Sequence, residues 1–501
     1  MAGTYTRHQY DDINDRLGKH TIDKWARLRR FLILGTDGGT FYASEKDHTL
    51  DNIAVVKECI ATDPARTVLE AVDVSIRGLA KSNEPAIYVM AMTSMYSVSL
   101  ENMPKVVRTS THLFTYIDMI KKLKPRGFGN ALRRAIGNWY AAKNDEQVAY
   151  QLIKYRQRNG WTHRDVMMHG RPSHREVYKY VKPDAEIDLM KISPKAGDLL
   201  RYADQAIHAT SLSDVIEAIQ VANIPWECVP TNMLNDPMVW YELFAAGAVP
   251  YMATVRNFNR FLKMGDNFLI EKASKIIGDP LVIRKSKVHP IQLLNAWKAN
   301  NNHVAARVFE DAFEHAYVNV EPTGKRIMIG VDVSGSMDSP VDRKTHNWGA
   351  ALTLTHREAV VATATVMHEV EPANIDIVAF SDGLVPMRFY PKLSTNIQTT
   401  SKLRFSDTDC TLPMAFAAQN HLKYDAFVIL TDNETNMNRF PPAEVLRRYR
   451  KESGVEDCKL VVMATTATKF SIADPDDANM LDIVGFSPDA PAVVSQFIKG
   501  W

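Results

Sequence analysis

Apolar positions recur at helical spacing from about residue 20 to residue 315, and the pattern then changes to short, unbroken apolar runs. Asp63-Pro64 reads as an N-cap followed by proline at the first helical position. Behind it Val68, Leu69, Val72, Ile76 and Leu79 form one predicted apolar stripe. Similar stripes predict helices over 86–98, 111–122, 129–142, 146–158, 213–223, 236–246, 266–276 and 290–298. The breaks between them are short and carry Pro, Gly or Asn, and no strict period relates one segment to the next. Stacked helix pairs forming a solenoid are the architecture expected for such a stretch.

After Pro322-Thr-Gly324 the runs Ile327–Val333, Ile375–Phe380, Ala426–Leu430 and Leu460–Ala464 predict strands, with a further short one at Leu481–Gly485. Helical stretches fall between and after them at Trp348–Val370, Leu412–Leu422, Ala443–Ser453 and Pro491–Gly500. Strands alternating with helices predict a doubly wound, mostly parallel, Rossmann-like sheet. The fold class is therefore multidomain, all-α over residues 1–322 and α/β over residues 323–501.

Composition narrows this picture without changing it. Hydrophobic content of 46% and charged content of 24% are ordinary for a globular chain. The longest apolar runs, such as Ala86–Met92, are far shorter than a membrane span. No apolar core follows the first charges, so no signal peptide is expected. Cys59, Cys228, Cys410 and Cys458 are scattered without a CxxC pair, which points to buried, inert thiols and a cytoplasmic, reducing setting. The net charge of +2 hides an uneven distribution. Residues 121–182 carry 15 Lys and Arg against 4 Asp and Glu, whereas residues 325–501 carry 18 against 22. A basic band of that density is an electrostatic footprint for phosphate.

Two constellations carry chemistry. In Arg326-Ile-Met-Ile-Gly-Val-Asp332-Val-Ser334-Gly-Ser336-Met337 a buried strand ends in Asp-x-Ser-x-Ser. Strand tips of open α/β sheets are where ligands sit, and a carboxylate with two hydroxyls is half of a hard-cation site. Phe427–Asn433 is another apolar strand that ends on a carboxylate, and Ser406-Asp407-Thr408-Asp409-Cys410-Thr411 is a polar loop between the two. This order resembles the von Willebrand factor A domain and its metal-ion-dependent adhesion site. By position that resemblance implies Asp332, Ser334, Ser336, Thr408 and Asp432 as ligands, with Thr411 an alternative threonine. Such donors suit Mg²⁺, or Mn²⁺, which keeps waters and leaves a position for an incoming oxygen.

The second constellation is Lys154-Tyr-Arg156-Gln-Arg158-Asn-Gly-Trp161-Thr-His163-Arg164-Asp165. Lys154 and Arg158, four apart, are expected on one helix face, with the helix ending at Asn159-Gly160 and the next beginning at His163 and Arg164. Cations beside aromatics suit phosphate contacts and base stacking, although Trp139 and Trp161 read more readily as core. His163, His169 and His174 have no acidic or cysteine partner, so a metal site there is not expected. Together with Leu28–Tyr42, Ala131–Tyr140, Ile224–Glu227, Thr254–Phe258 and Lys287–Pro290, this segment resembles the Ro ribonucleoprotein family, whose helical part is the TROVE module. The Gly38-Gly39 turn within the first of these lacks the Lys-Ser/Thr of a P-loop, so nucleotide binding is not expected.

The resemblance covers essentially the whole chain, and it implies a HEAT-like helical-repeat ring closed by the A domain. It further implies small structured Y-type RNA on an outer basic surface and single-stranded 3′ ends of misfolded RNA in a central hole. The family's outer cations fall here on Lys154 and Arg158, and a family histidine falls on Arg171, with His169 close by. Arg133 and Arg134 match a basic helix of the module, Arg156 and Arg164 belong to the same band, and Arg284, Lys285, Lys287 and His289 are further candidates. The expected function is thus a monomeric, non-enzymatic RNA-binding protein of RNA quality control or processing. An RNA-processing nuclease, or another protein, is the expected partner at the metal. The alternative is an adhesion or interaction module working through that metal alone. A metal-dependent nuclease is disfavoured, because one ion among neutral hydroxyls lacks the paired carboxylates of a two-metal clamp.

Overall fold

The computed structural model describes residues 22–35, 40–42, 53–80, 82–123, 128–170, 172, 175–182, 185–298, 302–341, 354–403, 407–432, 440–465, 472–474, 476–484 and 490–500. By contact the chain forms two compact units: Val56–Gly78 with Ser82–Ile276, and Met1–Val55 with Leu79–Lys81 and Ile277–Trp501. This division and the composition change near residue 322 fall at different places.

The first unit is built of helices. Pro64–Arg77 begins as its sequence predicts, with Asp63 accepting from the Arg66 amide at 2.9 Å, and it stops at Gly78 in the left-handed region. Its buried face holds Val68, Ala71, Val72 and Val74, while Leu69 and Ile76 of the predicted stripe point outward. Packing runs between alternate as well as successive helices. Pro64–Arg77 packs on Ser97–Val106, Glu84–Met92 on Ser110–Leu123, and Ser97–Val106 on Asn130–Ala141. Further along, Asp145–Lys154 packs on Pro194–Ile207, which packs on Leu212–Ala222. That is the arrangement of stacked helix pairs. The helix expected over 86–98 ends at Met92, and a new one begins at Ser97.

Asn130–Ala141 and His163–Gly170 cross closely enough that glycine is required at the contact. A Cβ on Gly170 would lie 2.4 Å from Ile136 Cγ2 and 3.4 Å from the Gly137 amide nitrogen. The larger departure lies just before this crossing. Asp145–Lys154 ends at Lys154, not at residue 158, and strands β2 (Gln157–Arg158) and β3 (Trp161–Thr162) form a hairpin. Asn159 and Gly160 both take positive φ, 53° and 75°, which is the two-residue turn whose twist matches paired strands. Helical spacing of the cations concealed that Asn-Gly signal. As a result Lys154 and Arg158 do not share a helix face.

The second unit contains a seven-stranded sheet. Its strands are β1 (Thr40–Tyr42), β4 (Ile327–Asp332), β5 (Ile375–Phe380), β6 (Leu384–Met387), β7 (Ala426–Thr431), β8 (Lys459–Ala464) and β9 (Met480–Val484), in the order β1-β9-β8-β7-β4-β5-β6. All pairings are parallel except β5 with β6. The predicted α/β strands are present. The sheet also gains β6 at one edge and, at the other, a strand from far upstream in the sequence. Near that edge Arg30, buried on the helix Lys24–Leu34, donates to the carbonyls of Asp477, Ala478 and Met480 at 3.0–3.1 Å. Arg447 pairs with Asp474, and Arg450 with Asp477, in the same buried group. β4 lies at the centre because the chain leaves it toward β5 on one side and returns to β7 on the other. Gly330 lets the helix Leu412–Gln419 press onto this strand, since a Cβ there would lie 2.8 Å from Pro413 Cγ.

Candidate functional site

The strand order reverses at β4 and β7, and the carboxyl ends of strands at such a switch point are where α/β sheets place ligands. Asp332 is the last residue of β4, and Asp432 directly follows β7. Both are buried, as are Ser334 and Thr408, while Ser336 is half-buried. The Asp332 carboxylate accepts from the Ser334 amide at 2.9 Å and, through its other oxygen, from the Thr431 hydroxyl at 2.7 Å. Ser334 Oγ and Ser336 Oγ stand 3.1 Å apart. The loop bearing Thr408 is tied to the tip of β5: Ser381 Oγ donates to the Asp407 carbonyl, and the Asp409 amide donates to the Ser381 carbonyl at 2.9 Å. Thr411, the alternative threonine, instead donates to Asp409 Oδ1 at 2.6 Å.

Burial pushes the Asp332 carboxyl up to about 6, and the charge of Asp432 adds to the rise. Two carboxylates and three hydroxyls that share little solvent are a hard donor set whose charge a divalent cation would balance. No group of three or more His, Cys, Asp or Glu side chains suited to a metal occurs among the described residues. A cation here would therefore rest mainly on hydroxyl oxygens. Arg357 is a functional candidate that sequence reasoning missed. Its guanidinium donates to Asp338 Oδ1 at 2.7 Å, to the Thr400 carbonyl at 3.3 Å and to the Ser334 carbonyl at 3.5 Å, clamping the Asp-x-Ser-x-Ser loop from beneath. The signal was present: Thr355 and Glu358 form a capping box, which sets one arginine in the first turn of an otherwise apolar helix.

In the helical unit the basic band separates into tied and open cations. Lys154 donates to the Tyr150 hydroxyl at 2.8 Å and lies 3.7 Å from Glu227, leaving its side chain 19% exposed. Arg156, Arg158, Arg164 and Arg134 are exposed, and among the described residues none of them makes an ion pair. Asn159 anchors the hairpin by donating to Thr115 Oγ1 at 3.1 Å. Thr162 and Asp165 cap the next helix reciprocally, the Asp165 carboxylate accepting from the Thr162 amide at 2.9 Å while the Asp165 amide donates to Thr162 Oγ1 at 3.3 Å. Trp139 and Trp161 are core residues, as read from sequence. His163 is buried against the Tyr140 hydroxyl at 2.8 Å, and burial lowers it to about 4, so it is neutral. His169 is half-buried, stacked near Phe128 and Trp161. Arg171, His174 and the Gly38-Gly39 turn lie outside the described residues.

Of the remaining candidates, Arg284, Lys285 and Lys287 are exposed in the second unit. His289 is different. Its Nδ1 accepts from the Ile291 amide at 3.2 Å, its Nε2 is buried, and burial lowers it to about 4. It caps a helix as a neutral ring and offers no charge. All four cysteines are buried.

The fold and these two surfaces define a class: a helical-repeat chain joined to a von Willebrand factor A-type sheet. A family described as the TROVE domain matches residues 14–195 and 222–365, and one described as the Ro60 vWA domain matches residues 326–498. RNA-binding protein RO60 of Caenorhabditis elegans is 30% identical, over 95% of this chain and 88% of that protein. The protein of the same name from Deinococcus radiodurans is 28% identical, over 96% of this chain and 94% of its own length. The crystal structure of the Deinococcus radiodurans RO (RSR) protein superposes with a TM-score of 0.84, covering 95% of this chain and all of that one. The chain belongs to the Ro ribonucleoprotein family.

Proposed function

We propose that this protein is a non-enzymatic RNA-binding protein that captures RNA mainly through its phosphate backbone, at the exposed cations of residues 121–182. The observation that carries this reading is the set of open arginines around the hairpin, Arg156, Arg158 and Arg164, on a rigid support of buried Trp161 and His163. Phosphate contacts fix position without reading sequence, so structured small non-coding RNA of the Y type is the first ligand class. Single-stranded 3′ ends of misfolded RNA, held in a central hole, are the second, with RNA quality control in the cytoplasm as the role. The names of the relatives support the RNA and leave its identity open. Affinity should fall steeply between 50 and 200 mM salt, in the range of about 10³–10⁵ if six or more phosphates are neutralised. Binding that ignored salt, or that survived the double change of Arg156 and Arg158 to Ala undiminished, would remove the electrostatic reading.

At the carboxyl ends of β4 and β7, Asp332, Ser334, Ser336, Thr408 and Asp432 would hold Mg²⁺ or Mn²⁺, supported by the buried carboxylates and hydroxyls described above. The ion would offer a free position to a carboxylate or phosphate oxygen of a partner, such as an RNA-processing protein. Asp332→Ala tests this. Loss of cation binding and of a protein partner, with RNA affinity intact, supports a separate docking role; loss of RNA binding with the cation would join the two sites.

A further inference from the structure

The bond from the Thr431 hydroxyl to Asp332 Oδ2, 2.7 Å long, is one link of a longer buried chain. Thr431 ends β7, and Thr465 directly follows β8. The Thr431 carbonyl accepts from the Thr465 amide at 3.0 Å and from the Thr465 hydroxyl at 3.4 Å. That hydroxyl stands 2.6 Å from Nδ1 of His356, the first residue of the helix His356–Val370. His356, Thr431 and Thr465 are all buried. The backbone of His356 is tied elsewhere: its amide donates to the Ser339 carbonyl at 3.1 Å. Ser339 closes the short turn that bears the hydroxyl donors, its own amide donating to the Ser336 carbonyl at 3.0 Å while the Met337 amide donates to the Ser334 carbonyl at 3.2 Å. One residue thus bonds to both sides of the donor set, through its backbone to the loop after β4 and through its ring to the tips of β7 and β8.

We propose that His356 is a positioning residue of the candidate metal site, a staple that fixes the spacing between the Ser334 and Ser336 hydroxyls and Asp432. The inference deepens the metal reading and rests on it. The sheet alone does not set that spacing. Pairing between β4 and β7 ends at Val331 and Leu430, one residue short of Asp332 and Thr431. Beyond that point side chains must hold the two strand tips together, and the Thr431 hydroxyl and the His356–Thr465 contact do so. A small divalent cation accepts little variation in donor distance, so donors on separate elements bind it well only when their supports are rigid. Imidazole suits the task because Nδ1 can donate or accept and the ring is stiff. The single proton of the Thr465 hydroxyl serves either Nδ1 or the Thr431 carbonyl, and Nδ1 completes the pair in each case. Asparagine places a polar atom one bond from Cγ, as Nδ1 is, and can take the same part; leucine fills similar space and cannot.

The test uses the full chain and Mn²⁺, with free ion counted by electron paramagnetic resonance and the urea midpoint of each variant measured separately. His356→Leu and Thr465→Val are each expected to weaken Mn²⁺ binding about 10- to 100-fold, the usual effect of losing a group that orients metal ligands. His356→Asn should stay within about threefold of the parent. The double variant His356→Leu/Thr465→Val should bind no more weakly than the weaker single one, because both changes break one contact. A role in stability alone would lower the urea midpoint and leave Mn²⁺ affinity in the folded protein unchanged. If the parent binds Mn²⁺ and both single variants match it, the positioning role is overturned while the metal reading stands. Additive losses in the double variant, or a His356→Asn as weak as His356→Leu, would also overturn it, since His356 would then act through its volume and not through Thr465. A parent that binds no Mn²⁺ at millimolar concentration removes the metal reading, and this inference with it. Should His356→Leu fail to fold, Thr465→Val decides: parental affinity overturns the proposal, and a loss beside parental affinity in His356→Asn supports it.

Discussion

At the carboxyl ends of the central strands, Asp332 reaches its position because β4 ends there, and the parallel neighbours β5 and β7 end beside it. At the basic face of the helical unit, Arg158 reaches its position because two residues with positive φ reverse the chain after a helix has already stopped. Topology sets the first site and local backbone sets the second. Asp332, Ser334 and Ser336 are correspondingly buried or half-buried and bonded to one another, whereas the arginines around the hairpin are exposed. A buried site of oxygen donors gains from being rigid, because its carboxylates are costly to desolvate alone. An exposed cationic site gains from being open, because phosphate must displace only water and counterions.

The sharpest way to break this comparison is to remove the floor beneath the basic face. Trp139 is almost wholly buried and donates through Nε1 to the Val107 carbonyl at 2.6 Å. Its ring also lies 5.0 Å from that of Tyr140, which holds His163. Trp139→Ala is expected to cost about 3–5 kcal/mol of stability, read as a lower midpoint in urea. Where the variant is still folded, RNA affinity should return to that of the parent, because no cation has been removed. A folded variant that had lost its RNA affinity would mean that the floor and the cations are one cooperative site.

The same contrast explains what the sequence could and could not reveal. Asp-x-Ser-x-Ser follows an apolar run whose six residues Ile327–Asp332 are all buried, so the β-strand pattern and the ligand pattern are contiguous and readable together. Asp432 sits after an equally uniform strand. Arg357 is harder to find, since a capping box marks only where its helix starts, and its contacts to the Thr400 and Ser334 carbonyls leave no mark in sequence. Strand β1 was hidden for a related reason: three residues at an edge carry too little periodicity to be seen. In the basic band, the four-residue spacing of Lys154 and Arg158 imitated a helix, while the adjacent Asn-Gly turn, the stronger local signal, was read only as a helix stop.

Arg357 allows a smaller perturbation of the loop that follows β4. Its side chain is 4% exposed while its partner Asp338 is 68% exposed, so the pair matters less as a salt bridge than as a support for the loop carbonyls. Arg357→Ala should weaken Mn²⁺ binding about 10- to 100-fold, the usual effect of losing a group that orients metal ligands. Manganese electron paramagnetic resonance would follow it. RNA affinity should stay within about twofold, since no phosphate contact is lost. Unchanged Mn²⁺ affinity in a folded variant would show that the loop is held by the Asp332 and Thr431 bonds alone.

The smallest expected effect lies at Lys154, the cation of the basic constellation that is tied to neighbouring side chains as Asp332 is. It is partly covered, bonded to Tyr150 and 3.7 Å from the Glu227 carboxylate. A phosphate approaching Lys154 must compete with that carboxylate. Glu227→Gln removes the competing charge and keeps the shape. Ion pairs of this exposure contribute about 0–1 kcal/mol, so RNA affinity should rise only about twofold. The slope of log affinity against log salt should steepen by less than about one, the value for one added phosphate contact. A weaker complex after Glu227→Gln would give the opposite meaning to the same geometry: Glu227 would then be positioning the Lys154 ammonium for phosphate.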